Sequence, residues 1–408
     1  MIDKRMGAAV AAALLMGGTG WGMASAAAPA GAAQQAARTA VQTTPAGIPS
    51  ATAGQLGELT AQRPEVSVSY EVTAAADASI KAAGMVDGVY TAPTIQQTLD
   101  YIASLHASSA KLLIKPGTYR EKLRIDQPSL MMAGTGDRAS DVCIVFNDVE
   151  GTPLRLGDEK YRPGKKDYGM ECSTVSVLSG AKGFTARNIT FVNDFDTEKA
   201  RAQGLKMAVQ GLAFRSEADQ TSLYGCRFIG RQDTLMPNAG HQYYKDCYIA
   251  GDVDFIFGAA TAVFEDCTIE TLPRRVSHHP ASHGYITAPS TLTGTHGYLL
   301  YKCRITGHLP GHDTVYLGRP WHPSSVKEAV NSEAVFRECS IDVRIAGSGW
   351  HSMGNKYGTY EPEDSRMFEY RNTGEWADES RRQLADKEAV EYTPEGFLGA
   401  WYSEVKSK

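Results

Sequence analysis

From Tyr224 onward, apolar positions return in short bursts at every second residue. The phrases YGCRF (Tyr224–Phe228), KDCYI (Lys245–Ile249), EDCTI (Glu265–Ile269), YKCRI (Tyr301–Ile305) and REC followed by SI (Arg337–Ile341) each set a cysteine two residues before Phe or Ile. A period of two puts both side chains on one face of a strand. Successive cysteines in these phrases are 21, 20, 36 and 36 residues apart. Repeats near twenty residues built of short strands and turns predict an all-β, single-stranded parallel β-helix, the longer intervals being rungs that carry external loops. A compact βαβ arrangement would need amphipathic helices between its strands. After Leu105 no long segment with a 3.6-residue period occurs before the C-terminal region. An earlier segment, Thr94–Leu105 (TIQQTLDYIASL), has that period, with a Thr94/Gln97 capping box and Ile95, Leu99 and Ile102 on one face. It predicts a helix that caps the open N-terminal end of the coil. From about Ser380 the chain reads as helical or irregular and is expected to pack along the outside.

The N-terminal pattern differs. Residues 1–26 carry a basic start at Lys4 and Arg5, a short glycine-interrupted apolar run and an Ala24-Ser25-Ala26 cleavage site. This is the layout of a secretory signal peptide, and the run is too short and broken for a comfortable membrane span. Residues 27–64 are Ala, Thr, Gln, Pro and Gly with almost no large apolar side chains, the composition of a flexible linker. The expected organisation is a signal peptide, a linker, and a β-helix domain over 65–408, exported to the periplasm or the medium. No other run of about 18 apolar residues appears, so no membrane anchor is expected. The first cysteine is Cys143, which leaves none near the cleavage site to carry a lipid. A net charge of -5 argues against nucleic acid as a partner. Seven cysteines leave at least one unpaired.

Candidate chemistry lies in Gly230–Gly258, GRQDTLMPNAGHQYYKDCYIAGDVDFIFG. Asp233 and Asp254 are 21 residues apart, and Gln210 and Gln232 are 22 apart. Residues one rung apart in a coil stack at the inter-strand spacing of about 4.8 Å. Gln210, the Gln232-Asp233 pair and Asp254 are therefore expected on three successive rungs of one sheet face. Two carboxylates at that separation cannot both ionise cheaply, so one is expected charged, as nucleophile or base, and the other protonated, as acid. Amides beside them supply N–H donors for an oxyanion, each worth roughly a hundred- to a thousand-fold in rate. The inventory fits acyl transfer at an ester and calls for no metal and no cofactor. By the same stacking, Cys226, Cys247 and Cys267 form a column whose spacing suits a disulfide, with at most one bond among the three. The alternative is a stack of buried thiols filling the core.

These residues also carry a resemblance. GRQDTL (Gly230–Leu235), GDVDFIFG (Gly251–Gly258) and YLGRPWHP (Tyr316–Pro323) resemble the signature segments of pectin methylesterases, and GTYREKL, GYITAPST and PEDSRMFEY extend the match over about Val86–Trp401, closest to the bacterial branch. The resemblance implies a right-handed parallel β-helix that hydrolyses galacturonate methyl esters in pectin (homogalacturonan) as a monomer. It implies Asp254 as nucleophile, Asp233 as general acid then base, Gln210 and Gln232 as oxyanion donors, and Arg319 as the partner that keeps Asp254 ionised. Phe257, Trp321 and Met353 resemble sugar-contacting or groove-lining residues, and the Cys247–Cys267 pairing resembles that of bacterial members. The chain departs from the pattern at QGLAF (Gln210–Phe214) and at Met236, where an aromatic is the family's residue; altered subsite preference is expected, not lost chemistry.

Other signals weigh less. Ser277-His278-His279-Pro280 with His283 lacks a carboxylate or cysteine at metal-ligand spacing and reads as a surface loop. Gly134-Thr135-Gly136 has no P-loop lysine, and no G-x-S-x-G elbow occurs. The rival functions on such a fold are a backbone-cutting pectate lyase or polygalacturonase, a lipidated thioesterase-like relative, and a non-catalytic pectin binder.

Overall fold

Twenty-one residues carry the chain once around the coil. Strand Thr221–Tyr224 is followed by Arg227–Ile229 and Leu235–Pro237, and the next strand, His241–Lys245, pairs in parallel with the first, Thr221 opposite Gln242. The following turn repeats the offset, with Phe228 opposite Ile249 and Leu235 opposite Ile256. Among the described residues the strands thus fall in rotation into three sheets of twelve, eight and seven strands, parallel except for the Gly84–Val86/Val89–Ala92 pair at one edge of the largest. Two later turns take 36 residues, Val263 pairing with Leu299 and Leu299 with Val335. In this computed structural model the described residues are 71–152, 172–204, 208–274, 284–326 and 329–408. The expected signal peptide and linker and the histidine loop at 277–283 lie outside them.

The cysteine phrases are corners of the coil. Each cysteine sits just outside the strand that follows it, and the residue before it, Gly225, Asp246, Asp266, Lys302 or Glu338, has a φ of 57°, 54°, 52°, 55° or 55°. One left-handed residue bends the chain sharply from the twelve-stranded sheet into the eight-stranded one. For the four non-glycine residues this costs about 1–2 kcal/mol each, which core packing offsets. The cysteines point inward with Phe228, Ile249, Ile269, Ile305 and Ile341, all at most 1% exposed. The Cys247–Cys267 disulfide is not formed, for all seven cysteines are free. The corner aims each thiol at a backbone carbonyl: Cys247 Sγ donates to Leu223 O (3.5 Å), Cys267 Sγ to Tyr244 O (3.4 Å), Cys303 Sγ to Phe264 O (3.3 Å) and Cys339 Sγ to Leu300 O (3.2 Å). The column is a core filler of five thiols. Cys143 is half-buried, and Cys172 is buried in a separate cluster with Leu212, Met236, Phe257 and Ala288.

The N-terminal end is capped and the C-terminal segment packs along the outside, as the sequence predicts. Helix Ile95–Ser104 starts at Thr94, whose side chain accepts from Gln97 N (3.2 Å), and buries Ile95, Leu99 and Ile102. Glu121, from the GTYREKL segment, accepts from the Ile95 and Gln96 amides (both 3.0 Å), placing an anion at the helix N-terminus where the dipole favours it. On the twelve-stranded sheet Tyr244, Phe264, Leu300 and Phe336 face the core, and alternate residues Tyr243, Val263, Leu299 and Val335 face out. Phe397, Leu398, Tyr402 and Val405, from helices Pro394–Leu398 and Ala400–Val405, cover that outer face.

Candidate active site

The seven-stranded sheet carries the candidate residues. Asp254 lies in strand Val253–Gly258 with a φ of 49°, and the pairing with strand Gly284–Pro289 shifts register between Val253 and Ile256. A bulge of this kind re-aims a side chain out of the regular alternation. Asp233 lies one rung back in the turn before strand Leu235–Pro237, also left-handed at 65°. Both aspartates are therefore at strand entries, not on the flat of a strand face, and a left-handed non-glycine residue costs of order 1–3 kcal/mol that the surroundings must hold in place. The register is fixed by the backbone: Asp233 N donates to Val253 O (3.0 Å), Gly211 N to Gln232 O (3.1 Å) and Glu150 N to Gln210 O (2.8 Å). Gln210, Gln232, Asp233 and Asp254 thus occupy three successive rungs.

Arg319 follows strand Val315–Gly318 and is anchored by its amide on Thr287 O (3.0 Å). Its guanidinium meets Asp254 with two parallel bonds, Nε to Oδ1 at 2.8 Å and Nη2 to Oδ2 at 2.5 Å. Asp254 is 5% exposed, so this fork replaces the water its charge would otherwise need. Burial opposes the charge on Arg319, but the Asp254 carboxylate more than offsets it and raises the Arg319 pKa. The face of the guanidinium lies over the Tyr285 ring, 3.9 Å from its centroid. Among the described residues Asp233 has no such forked partner. Its pKa is raised well above the ordinary carboxylate range, first by burial, then by the charges of Asp254 and Glu150, with Asp252 adding and Arg319 opposing. The arrangement can hold one carboxylate charged and the next protonated.

Sequence reasoning missed part of the surroundings. Asp252 is fully buried, with its Oδ2 3.4 Å from Arg231 Nε, and Arg231 also reaches Glu198 Oε1 and Pro273 O (both 3.0 Å). The signal was present, since Arg231 and Asp252 are 21 residues apart like the aspartates beside them. Glu150, whose pKa burial raises, came from a segment with no motif. The QGLAF departure has a packing reason: a Cβ at Gly211 would come within 2.8 Å of Asn193 Oδ1, and Asn193 is buried, bonding Asp148 O (2.7 Å). Met236 and Phe257 are 5% and 3% exposed and pack with Cys172, Leu212 and Ala288, so they form the floor beneath the surface. Trp321, half-buried, rests on Phe257 with ring centroids 5.6 Å apart, and Met353, also half-buried, begins a hairpin. Among the described residues no group of His, Cys, Asp and Glu is arranged to hold a metal ion.

Fold and site define a class first, a parallel β-helix whose ionisable groups gather along one sheet. Comparison with known proteins then narrows it. Residues 81–400 match the Pectinesterase family. The chain is 32% identical over 314 residues to Pectinesterase 31 of Arabidopsis thaliana, covering 75% of this chain and 88% of the relative. It is 32% identical over 334 residues to Pectinesterase A of Dickeya chrysanthemi, covering 76% and 88%. The solved structure of pectin methylesterase PemA from Erwinia chrysanthemi superposes with a TM-score of 0.67 at 32% identity, over 80% of this chain and 97% of that one. A pectin methylesterase in complex with a hexasaccharide gives 0.68 at 32%, over the same shares. The chain belongs to the pectinesterase family and is a carboxylic ester hydrolase with a right-handed parallel β-helix fold.

Proposed function

We propose that the protein hydrolyses the C6 methyl esters of galacturonate units in homogalacturonan, giving free carboxylates and methanol through an aspartyl acyl-enzyme. The observation that carries this reading is the pairing of a charged carboxylate, Asp254 gripped by Arg319, with a second, Asp233, whose pKa is raised well above the ordinary range. An Asp254 oxygen attacks the ester carbonyl, and the amides of Gln210 and Gln232 hold the resulting oxyanion. The intermediate collapses by breaking the bond to the methoxy oxygen, which takes the Asp233 proton and leaves as methanol. Asp233, now a carboxylate, removes a proton from water as its oxygen attacks the acyl carbon. Asp254 leaves, and both groups return to their starting state. Trp321, supported by Phe257 and Met236, and Met353 are the sugar contacts. No step requires a metal or a cofactor. The protein acts as an exported monomer, and the Ala24-Ser25-Ala26 site supports export.

The test follows methanol, reducing ends and unsaturated products in one reaction on highly methylated pectin. Methanol with an uncut backbone is the expected result. Backbone cleavage without methanol would assign the chain to lyase or polygalacturonase chemistry, and neither product would leave a pectin binder.

A further inference from the structure

Two chains of contact, one from the Asp254–Arg319 pair and one from Phe257 on the strand of Asp254, lead to one hairpin, Met353–Asn355 with Gly358–Tyr360. Along the first, Arg319 lies over Tyr285, Tyr285 meets the His351 ring nearly edge-on at 5.6 Å, and His351 is two residues before Met353. Along the second, Phe257 packs on Trp321, and the next residue, His322, stacks on Tyr360 at 3.6 Å and accepts from Asn355 Nδ2 at its carbonyl (2.6 Å). The hairpin is thereby pinned to the wall beside Trp321. Its tip is Lys356-Tyr357. Tyr357 is 68% exposed, and the Lys356 ammonium lies 4.7 Å from the centroid of its ring. The turn is closed by Tyr357 N donating to Asn355 Oδ1 (2.8 Å), a backbone bond that any residue but proline at 357 would make. Folding therefore does not explain the ring.

An exposed ring beside a cation matches a ligand with an apolar face beside an anion. A galacturonate unit with a free C6 carboxylate has both, whereas its methyl ester lacks the anion. The chain as a whole carries a net charge of -5, so attraction of an anionic sugar depends on a local cation. We propose that Lys356 and Tyr357 form a remote subsite for a galacturonate unit that has already lost its methyl ester. This rests on the substrate class proposed above and deepens it, because such a subsite draws the enzyme to partly de-esterified stretches of the polymer.

The test is calorimetric binding of a fully de-esterified hexagalacturonate to the full chain and to Lys356→Gln, Lys356→Arg, Tyr357→Ala and Tyr357→Phe, with wild-type methanol release from methylated pectin measured alongside. Lys356→Gln and Tyr357→Ala should each weaken binding about two- to fivefold, the range of an exposed charge contact, while the Arg and Phe variants stay close to wild type. The Lys356→Gln deficit should shrink as salt is raised. Equal affinity in wild type, Lys356→Gln and Tyr357→Ala would overturn the subsite. Absence of methanol with the affinity pattern intact would instead overturn the esterase reading and leave a site for anionic sugar.

Discussion

Asp233 is the residue on which the proton bookkeeping turns. Its folded pKa is raised by burial and by neighbouring carboxylates, so the folded state holds its proton more tightly than the unfolded chain does. The stability this contributes is fully present below the ordinary aspartate pKa and is lost as pH rises through the folded value. Urea midpoints of wild type should therefore fall over that window relative to those of Asp233→Asn, which has no proton to lose. Asp252 adds to the same shift, so Asp252→Asn should lower the Asp233 pKa and move the alkaline limb of the kcat/KM profile to lower pH. Gln210→Ala and Gln232→Ala should each reduce kcat about a hundred- to a thousand-fold with little change in KM, read by initial rates of methanol release. Of this site, the aspartate interval was legible in the sequence because a coil converts 21 residues into one rung. Glu150 was not, because its approach to Gln210 is made by backbone from a segment with no repeat.

Among the elements, the strand entry Gly251–Phe255 is the close approach that lies beside Asp254. A Cβ on Gly251 would lie 2.3 Å from Phe255 Cβ and 2.7 Å from Arg231 O, so backbone must move. Gly251→Ala should cost about 1–3 kcal/mol, the range for overpacking, and shift the Asp254 bulge with it. A lower urea midpoint together with a reduced kcat would bear this out. The corner geometry shows why each cysteine, read as a strand residue, sits at a corner just before the strand. Period two was correct for the inward side of each cysteine phrase, but Asp246, Asp266, Lys302 and Glu338 give no sign of a left-handed conformation that sequence reasoning assigns to glycine or asparagine. The disulfide failed for the same reason, since the corner turns each thiol toward a carbonyl of the coil.

For the whole molecule, the C-terminal helices seal the outer face of the twelve-stranded sheet and the Thr94–Leu105 segment closes one end, so the coil has the covers that an isolated stack of strands would lack. A chain beginning at residue 65 should keep full methanol-releasing activity, which a truncation series would check. The central claim concerns Asp254. Replacing it leaves Arg319 without its charged partner and should cost about 3 kcal/mol of stability, so folding of the variant is verified by its thermal transition. The deciding measurement is methanol release from a methylated oligogalacturonide by folded Asp254→Asn, with oligosaccharide affinity determined on the same sample. The prediction is a loss of at least about ten-thousand-fold in turnover with affinity within a few-fold of wild type. Turnover near the wild-type rate in a folded Asp254→Asn protein would contradict the acyl-enzyme account.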